Sequence, residues 1–197
     1  KPALNKWMRN QVLLAALTLP RRDGETETDW LARVEQDWQQ QGRAAAERGT
    51  AIHAAIERHY RGEQPDEDLW DWVKETKEQI SEMCGDGPWS AERSFACDLG
   101  YGGKTDLHSD KWVLDVKGKE GDVNIGKLAM YDEHLMQLAA YRYGLAVPDA
   151  RCGIVFVGRD VPSAVLMEAS ADDLEKGWLM FKSLLNYWQA KNGHKPI

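Results

Sequence analysis

The stretch Tyr101–Lys119, YGGKTDLHSDKWVLDVKGK, places Asp106, Asp115 and Lys117 in what reads as two strands joined by a tight turn. Charged side chains inside a sheet are costly unless something pairs with them. With the turn at 108–111, Asp106 faces Val113, and Asp115 sits diagonal to Asp106 at roughly 7–8 Å between backbones. Side chains alternate along a strand, so Val113, Asp115 and Lys117 share the face of Asp106, while Leu114 and Val116 turn into the core. Two carboxylates with nothing between them repel. A hard divalent cation such as Mg²⁺ or Mn²⁺ resolves the repulsion. Lys117 would stand beside that ion, stabilising a developing negative charge or positioning a water. The chemistry implied is metal-assisted attack of water on a phosphodiester.

Asp-x-Lys on a strand is, taken alone, an ordinary solvated ion pair, and the neighbouring signals carry the weight. His53 and Glu57 are four apart and share one helix face. A single histidine on an apolar helix is more often structural than a ligand. Gln137 and Tyr141 are also four apart, on the helix after the third strand, where a plain solvent-side pair is the simpler reading. Glu92 lies early in the first strand, a position usual for an edge charge. Asp110 belongs to the turn and Lys119 to the mouth of the loop that follows. Gly102-Gly103 reads as a bulge or as room for a ligand to approach the backbone.

Helical spacing of Leu4, Trp7, Met8, Leu14 and Ala15 predicts a helix over 3–19, broken by Pro20 and the Arg-Arg-Asp-Gly after it. A second helix is expected over 27–46, and a third from Gly49–Thr50 to Tyr60 with Thr50 as its N-cap. A fourth carries Leu69, Val73, Ile80 and Met83. Strands follow at 90–97, 103–108 and 112–117, then a loop over 118–130 and a helix over 132–146. Strands at 151–158 and 164–169 precede a last helix. Ser170 and Asp173 signal its start, and Leu174, Trp178, Phe181, Leu185 and Trp188 form its apolar stripe. The expected class is α/β, a mixed sheet flanked by helices. One domain is expected over 1–197, mainly helical over 1–88 and sheet-based over 89–197.

The 197-residue chain is long enough for a sizeable core, and its net charge of −7 argues against a generic basic nucleic-acid coat. The charge is uneven: residues 1–22 hold five bases and no acid. No apolar run is long enough to span a membrane. No signal peptide is visible, and because the sequence opens at Lys1 a short piece is expected to precede it. Cys84, Cys97 and Cys152 are scattered, which suits a reducing, cytoplasmic compartment. Three cysteines are too few for an iron–sulfur cluster or a four-thiolate zinc site from one chain.

Taken in order, "RGTAIHAAIE" (48–57), "ERSFACDLGYGGKTDL" (92–107), "VLDVKGK" (113–119) and "HLMQLAAYRYG" (134–144) resemble the RecB-type branch of the PD-(D/E)xK nuclease superfamily. The chain is similar to phage RecB-like exonucleases and to the mitochondrial genome-maintenance exonuclease, whose openings resemble "PALNKW". These stretches cover about half of the chain. The resemblance implies a restriction-endonuclease-like αβββαβ core. It implies that His53, Asp106, Asp115 and the Val116 carbonyl hold Mg²⁺ or Mn²⁺, that Lys117 is the catalytic lysine, and that Gln137 and Tyr141 organise the site and hold substrate phosphate. Glu57 and Glu92 would stand behind these residues. Asp115 occupies a place that is Glu in many superfamily members. Relatives with a four-cysteine cluster are a poor match, and no P-loop is present.

The implied substrate is DNA, taken without sequence preference because no element looks like a base-reading helix. Arg9, Arg21, Arg22, Arg48, Lys104, Lys119 and Lys127 are candidate phosphate contacts. Most of the nine tryptophans, Trp178 and Trp188 included, are expected in the core, with Trp7 or Trp30 left to stack on unpaired bases. Three readings remain: a metal-dependent exonuclease acting in recombination, repair or phage DNA processing, with a recombination or single-strand-binding protein as a possible partner; a structure-selective endonuclease or nuclease subunit; and a non-catalytic DNA-binding module on the same fold.

Overall fold

A computed structural model describes residues 2–125 and 127–196, with side chains from Met8 onward. The expected roles of Leu4 and Trp7 therefore lie outside the described residues. The elements run α1 (Pro2–Thr18), α2 (Glu27–Tyr60), a 3₁₀ turn (Glu67–Leu69), α3 (Trp70–Cys84), β1 (Ser90–Cys97), β2 (Tyr101–His108), β3 (Trp112–Lys119), α4 (Asp132–Gly144), β4 (Arg151–Gly158), β5 (Ala164–Glu168) and α5 (Ala171–Asn192). They fall into two compact units that divide between Thr50 and Ala51. No helix among the described residues is long and apolar enough to cross a membrane.

In the first unit, the break after α1 is held by side chains. The Trp30 indole N–H donates to the Leu19 carbonyl at 2.7 Å, and the Arg33 guanidinium grips both carboxylate oxygens of Glu25 at 2.9 and 2.8 Å. That hydrogen-bonded pairing holds the Glu25 carboxyl down at about 2. Thr26 caps α2 by accepting from the Asp29 N–H.

The two helices expected over 27–46 and 50–60 are one continuous helix. Thr50 is not a cap: its hydroxyl donates to the Ala46 carbonyl one turn back, at 3.0 Å. A glycine inside a helix costs only about 1 kcal/mol relative to alanine. The alanines flanking Gly49 are strong enough helix formers to carry α2 through it.

In the second unit the five strands lie in sequence order. β1, β2 and β3 are antiparallel, β3 and β4 parallel, and β4 and β5 antiparallel. This is the mixed sheet expected from the sequence. Ile52 and Ile56 of α2 and Val73 and Ile80 of α3 pack with Leu107, Leu114, Val116 and Val155 in one buried cluster. Leu135 and Leu138 of α4 and Leu174 of α5 pack with Val113, Cys152, Ile154 and Phe156 in another. The split follows strand alternation, so β3 is covered on both faces. Asp115, on the side of Val113, is as buried as its apolar neighbours, at 1% exposure.

The hairpin register differs from the one expected. Leu107 pairs with Leu114 and His108 with Val113, so Asp106 is level with Asp115 rather than with Val113. The turn lies one residue further along than read: Ser109 N–H donates to the Trp112 carbonyl at 2.8 Å, and the Ser109 hydroxyl accepts from the Trp112 N–H at 3.1 Å. A slip of two residues leaves every side chain on its expected face, whereas a slip of one would have reversed them all.

α5 starts as expected, with Ser170 Oγ accepting from the Asp173 N–H. Its apolar stripe, however, does not stay buried. Leu174 is in the core, but Trp188 is 50% exposed. Trp72 and Trp112 are the buried tryptophans among the described side chains, so the expectation that most would be core, Trp178 and Trp188 included, does not hold.

Candidate active site

The site gathers side chains from α2, β1, β2, β3 and α4, all in the second unit. Where the β2–β3 ladder stops at Leu107, the Asp106 carboxylate takes over, its Oδ2 accepting from the Val116 N–H at 2.6 Å. His53 Nε2 lies 3.0 Å from the same oxygen. α2 brings His53 there because Ile52 and Ile56, on either side of it, are pinned in the core. That hydrogen bond to Asp106 raises the imidazole above its usual range, against the opposing effect of burial.

Asp115 is held from two directions. Its Oδ1 accepts from Gln137 Nε2 at 2.8 Å, and its Oδ2 is 2.6 Å from Lys117 Nζ. Gln137 also donates to the Tyr141 hydroxyl at 2.7 Å, so the pair spaced by four on α4 reaches the carboxylate as a unit. Burial first, and then the charge of Asp106, push the Asp115 carboxyl up to about 6, against the pull of Lys117. Burial likewise raises the Tyr141 hydroxyl.

Glu92 reaches the site through an unusual backbone. β1 pairs Ala91 with Leu107 and Arg93 with Thr105, and between them Glu92 takes φ of 55°. A left-handed conformation is costly for any residue other than glycine, and such strain concentrates at functional sites. Here it accompanies a carboxylate whose side chain is only 4% exposed, paired with the Lys104 ammonium and 3.9 Å from His53 Nδ1. His53, Glu57 and Glu92 offer ligand atoms that all lie within 4.8 Å of one another. Glu57 also pairs with Arg61, one turn on, at 2.7 Å.

These residues suit a hard divalent cation. Asp115 Oδ2 and Glu92 Oε2 are buried oxygens that each face a lysine ammonium, Lys117 and Lys104 respectively. Two carboxyls lie close enough for one to suppress ionisation of the other. The donors are oxygens plus one imidazole, a set able to hold a divalent cation.

The expected metal ligands and catalytic groups His53, Asp106, Asp115 and Lys117 come together, with Gln137 and Tyr141 beside them. Val116 engages Asp106 through its amide. Glu57 and Glu92, expected in supporting places, lie with His53 in a cluster that could hold a metal ion. Nothing in the sequence marks Glu92 for this, because its backbone angle leaves no compositional trace. The expected phosphate contacts are dispersed. Lys104 is committed to Glu92, and Lys119 lies over the Phe156 and Tyr131 rings at 5.2 and 5.6 Å. Lys127 is exposed, while Arg9 and Arg48 belong to the first unit.

No family model matches the chain, and no curated protein matches it. Among solved structures, the fold is similar to that of a "Putative exonuclease" from Eubacterium rectale, with a TM-score of 0.50 and 12% identity over 75% of this chain and 69% of that one. At that identity the likeness is one of fold: helices followed by a mixed sheet flanked by helices.

Because Gln137 is the hydrogen-bond donor that orients Asp115, Gln137→Ala is expected to weaken any divalent-cation binding at this cluster by roughly 10- to 100-fold, read by calorimetric titration with Mn²⁺. Equal affinity in the two proteins would show that Asp115 needs no such support.

Proposed function

We propose that this chain is a Mg²⁺- or Mn²⁺-dependent DNA exonuclease of the RecB-like PD-(D/E)xK type, cutting without sequence specificity in recombination, repair or phage DNA processing. The observation that carries this reading is the convergence of His53, Asp106, Asp115 and Lys117, from three separate elements, around a buried carboxylate whose Oδ2 faces the Lys117 ammonium. The fold likeness to the Eubacterium rectale protein agrees with it.

When bound, the metal would polarise the scissile phosphate and lower the pKa of an attacking water. Asp106, Asp115 and His53 would hold it, with the Val116 carbonyl as the implied fourth ligand and with Glu57 and Glu92 adjoining. With the carboxylate holding a cation, Lys117, now paired with Asp115, would be free of that pairing, and its ammonium would stabilise charge building on the phosphate or orient the water. Gln137 keeps Asp115 in place, and Tyr141 presents a hydroxyl at the edge of the site for a phosphate oxygen.

Linear and covalently closed circular DNA, incubated with EDTA, Mg²⁺ or Mn²⁺, test the proposal. Metal-dependent loss of linear DNA with the circle spared supports an exonuclease. Cutting of the circle would replace it with an endonuclease. Lys117→Ala is expected to remove cleavage while DNA binding persists. Normal cleavage by that variant would refute the assignment of the site.

A further inference from the structure

Beside the site lies a groove of about 590 Å³, walled by β2, α4 and α5. Gln137 and Tyr141 line it, so it opens against the two residues that reach Asp115. Its far wall is aromatic and apolar. Phe181 packs edge-on to Tyr101 with ring centroids 4.8 Å apart, and Leu184 and Trp188 follow one and two turns along α5 at 55% and 50% exposure. Spacing of three and four puts Phe181, Leu184, Trp188 and Lys191 in one row.

An exposed aromatic row could receive many partners, and the charge around it selects among them. In a chain of net charge −7, the sequence from Lys176 onward carries Lys176, Lys182, Lys191, His194 and Lys195 and no acidic side chain. Lys191 lies 6.0 Å over the Tyr187 ring and Lys182 5.4 Å over the Trp178 ring, and His194 sits 5.5 Å from Trp188. One acid, Glu133, stands on the α4 wall. Trp178 and Tyr187 lie outside the groove's lining, so the groove's own ring at this end is Trp188, followed along the chain by Lys191, His194 and Lys195. This pairing of flat ring and cations suits a ligand carrying both flat apolar and anionic groups.

We propose that this groove binds a single-stranded stretch of DNA next to the scissile phosphate, with a base stacked on Trp188 and the backbone phosphates facing Lys191 and Lys195. The inference rests on the nuclease reading for the neighbouring site, but its binding chemistry does not need cleavage. Base–aromatic stacking tolerates any base, which suits an enzyme without sequence preference. Duplex DNA keeps its base faces covered and gains nothing from the row.

Anisotropy of an end-labelled oligothymidylate in EDTA measures binding without cleavage, with a blunt duplex of equal length beside it. Trp188→Ala is expected to weaken single-strand binding by about tenfold, the scale of one lost stack, and to leave duplex binding unchanged. Trp188→Phe should retain most of the affinity, which separates stacking from a folding defect. Lys191→Glu should make the salt dependence shallower by about 0.7, the slope of one single-strand phosphate contact. Equal single-strand affinity in all three variants would overturn the proposal, whether or not the protein cleaves. Trp188-dependent binding in a protein that cleaves nothing would uphold the groove and sink the nuclease reading.

Discussion

Asp115→Asn is expected to reduce metal-dependent cleavage on the order of 10³-fold, the scale of losing one electrostatic contact to the transition state, and at the same time to make the metal-free protein more stable. The two effects have one cause. Asp115 is buried beside Asp106, and its carboxyl titrates near 6 instead of the ordinary 3.8. Its folded-state pKa is raised, so the neutral form is favoured in the folded state. With respect to this group, stability is highest below about pH 4 and declines as pH rises towards and through about 6. Above that window the ionised side chain costs on the order of 2–3 kcal/mol. Asparagine keeps an oxygen for the Gln137 amide and removes the charge, and Lys117, with its side chain 32% exposed, can turn to water. In EDTA at pH 8 the variant should therefore melt roughly 5 °C or more above the wild type, with the gain fading at pH 4. Differential scanning fluorimetry across pH reads this directly. A lower melting temperature at pH 8 would mean that the Asp115–Lys117 pair stabilises the metal-free fold.

Adding Mg²⁺ or Mn²⁺ to the wild type should give a second large effect. A ligand that binds only the folded state stabilises it by about 2.7 kcal/mol at a hundred times its dissociation constant. For a chain of this size that is roughly 5–10 °C in melting temperature. The shift should be smaller at pH 6 than at pH 8. Protons compete for His53, whose pKa is raised by Asp106, and for Asp115, whose pKa is raised by burial. Asp106→Asn should abolish the shift. A pH-independent shift that survives in Asp106→Asn would place the ion elsewhere.

The site was legible in the sequence because its charges are out of place there. Aspartates within an apolar hairpin carry a burial cost, whereas the lysine two residues on and the polar pairs spaced by four on helices gained their weight from their order along the chain. Strand alternation then gave the correct face for Asp106 and Asp115 without the correct register. The register depends on a turn closed by the Ser109 hydroxyl, and a two-residue slip is silent to face patterning. Glu92 was read only as a supporting residue, because its approach to His53 goes with a left-handed backbone angle set by tertiary structure. Gly49 and Thr50 misled in the opposite sense, since strong local break signals were outweighed by the alanine-rich helix around them. Trp188 was read as core from a periodicity that is real, although α5 packs chiefly against α4 and leaves Trp188 half exposed.

The most direct test of the central claim, that Asp106, Asp115, His53 and Lys117 form a metal-dependent phosphodiester-cleaving centre, is a single-turnover measurement. DNA labelled at one end would be mixed with excess wild type or Asp115→Asn in Mn²⁺, after binding of both has been matched by anisotropy. Stepwise shortening by the wild type is expected, with a rate lower by on the order of 10³ in the variant at equal DNA occupancy. Equal rates for the two proteins would contradict it.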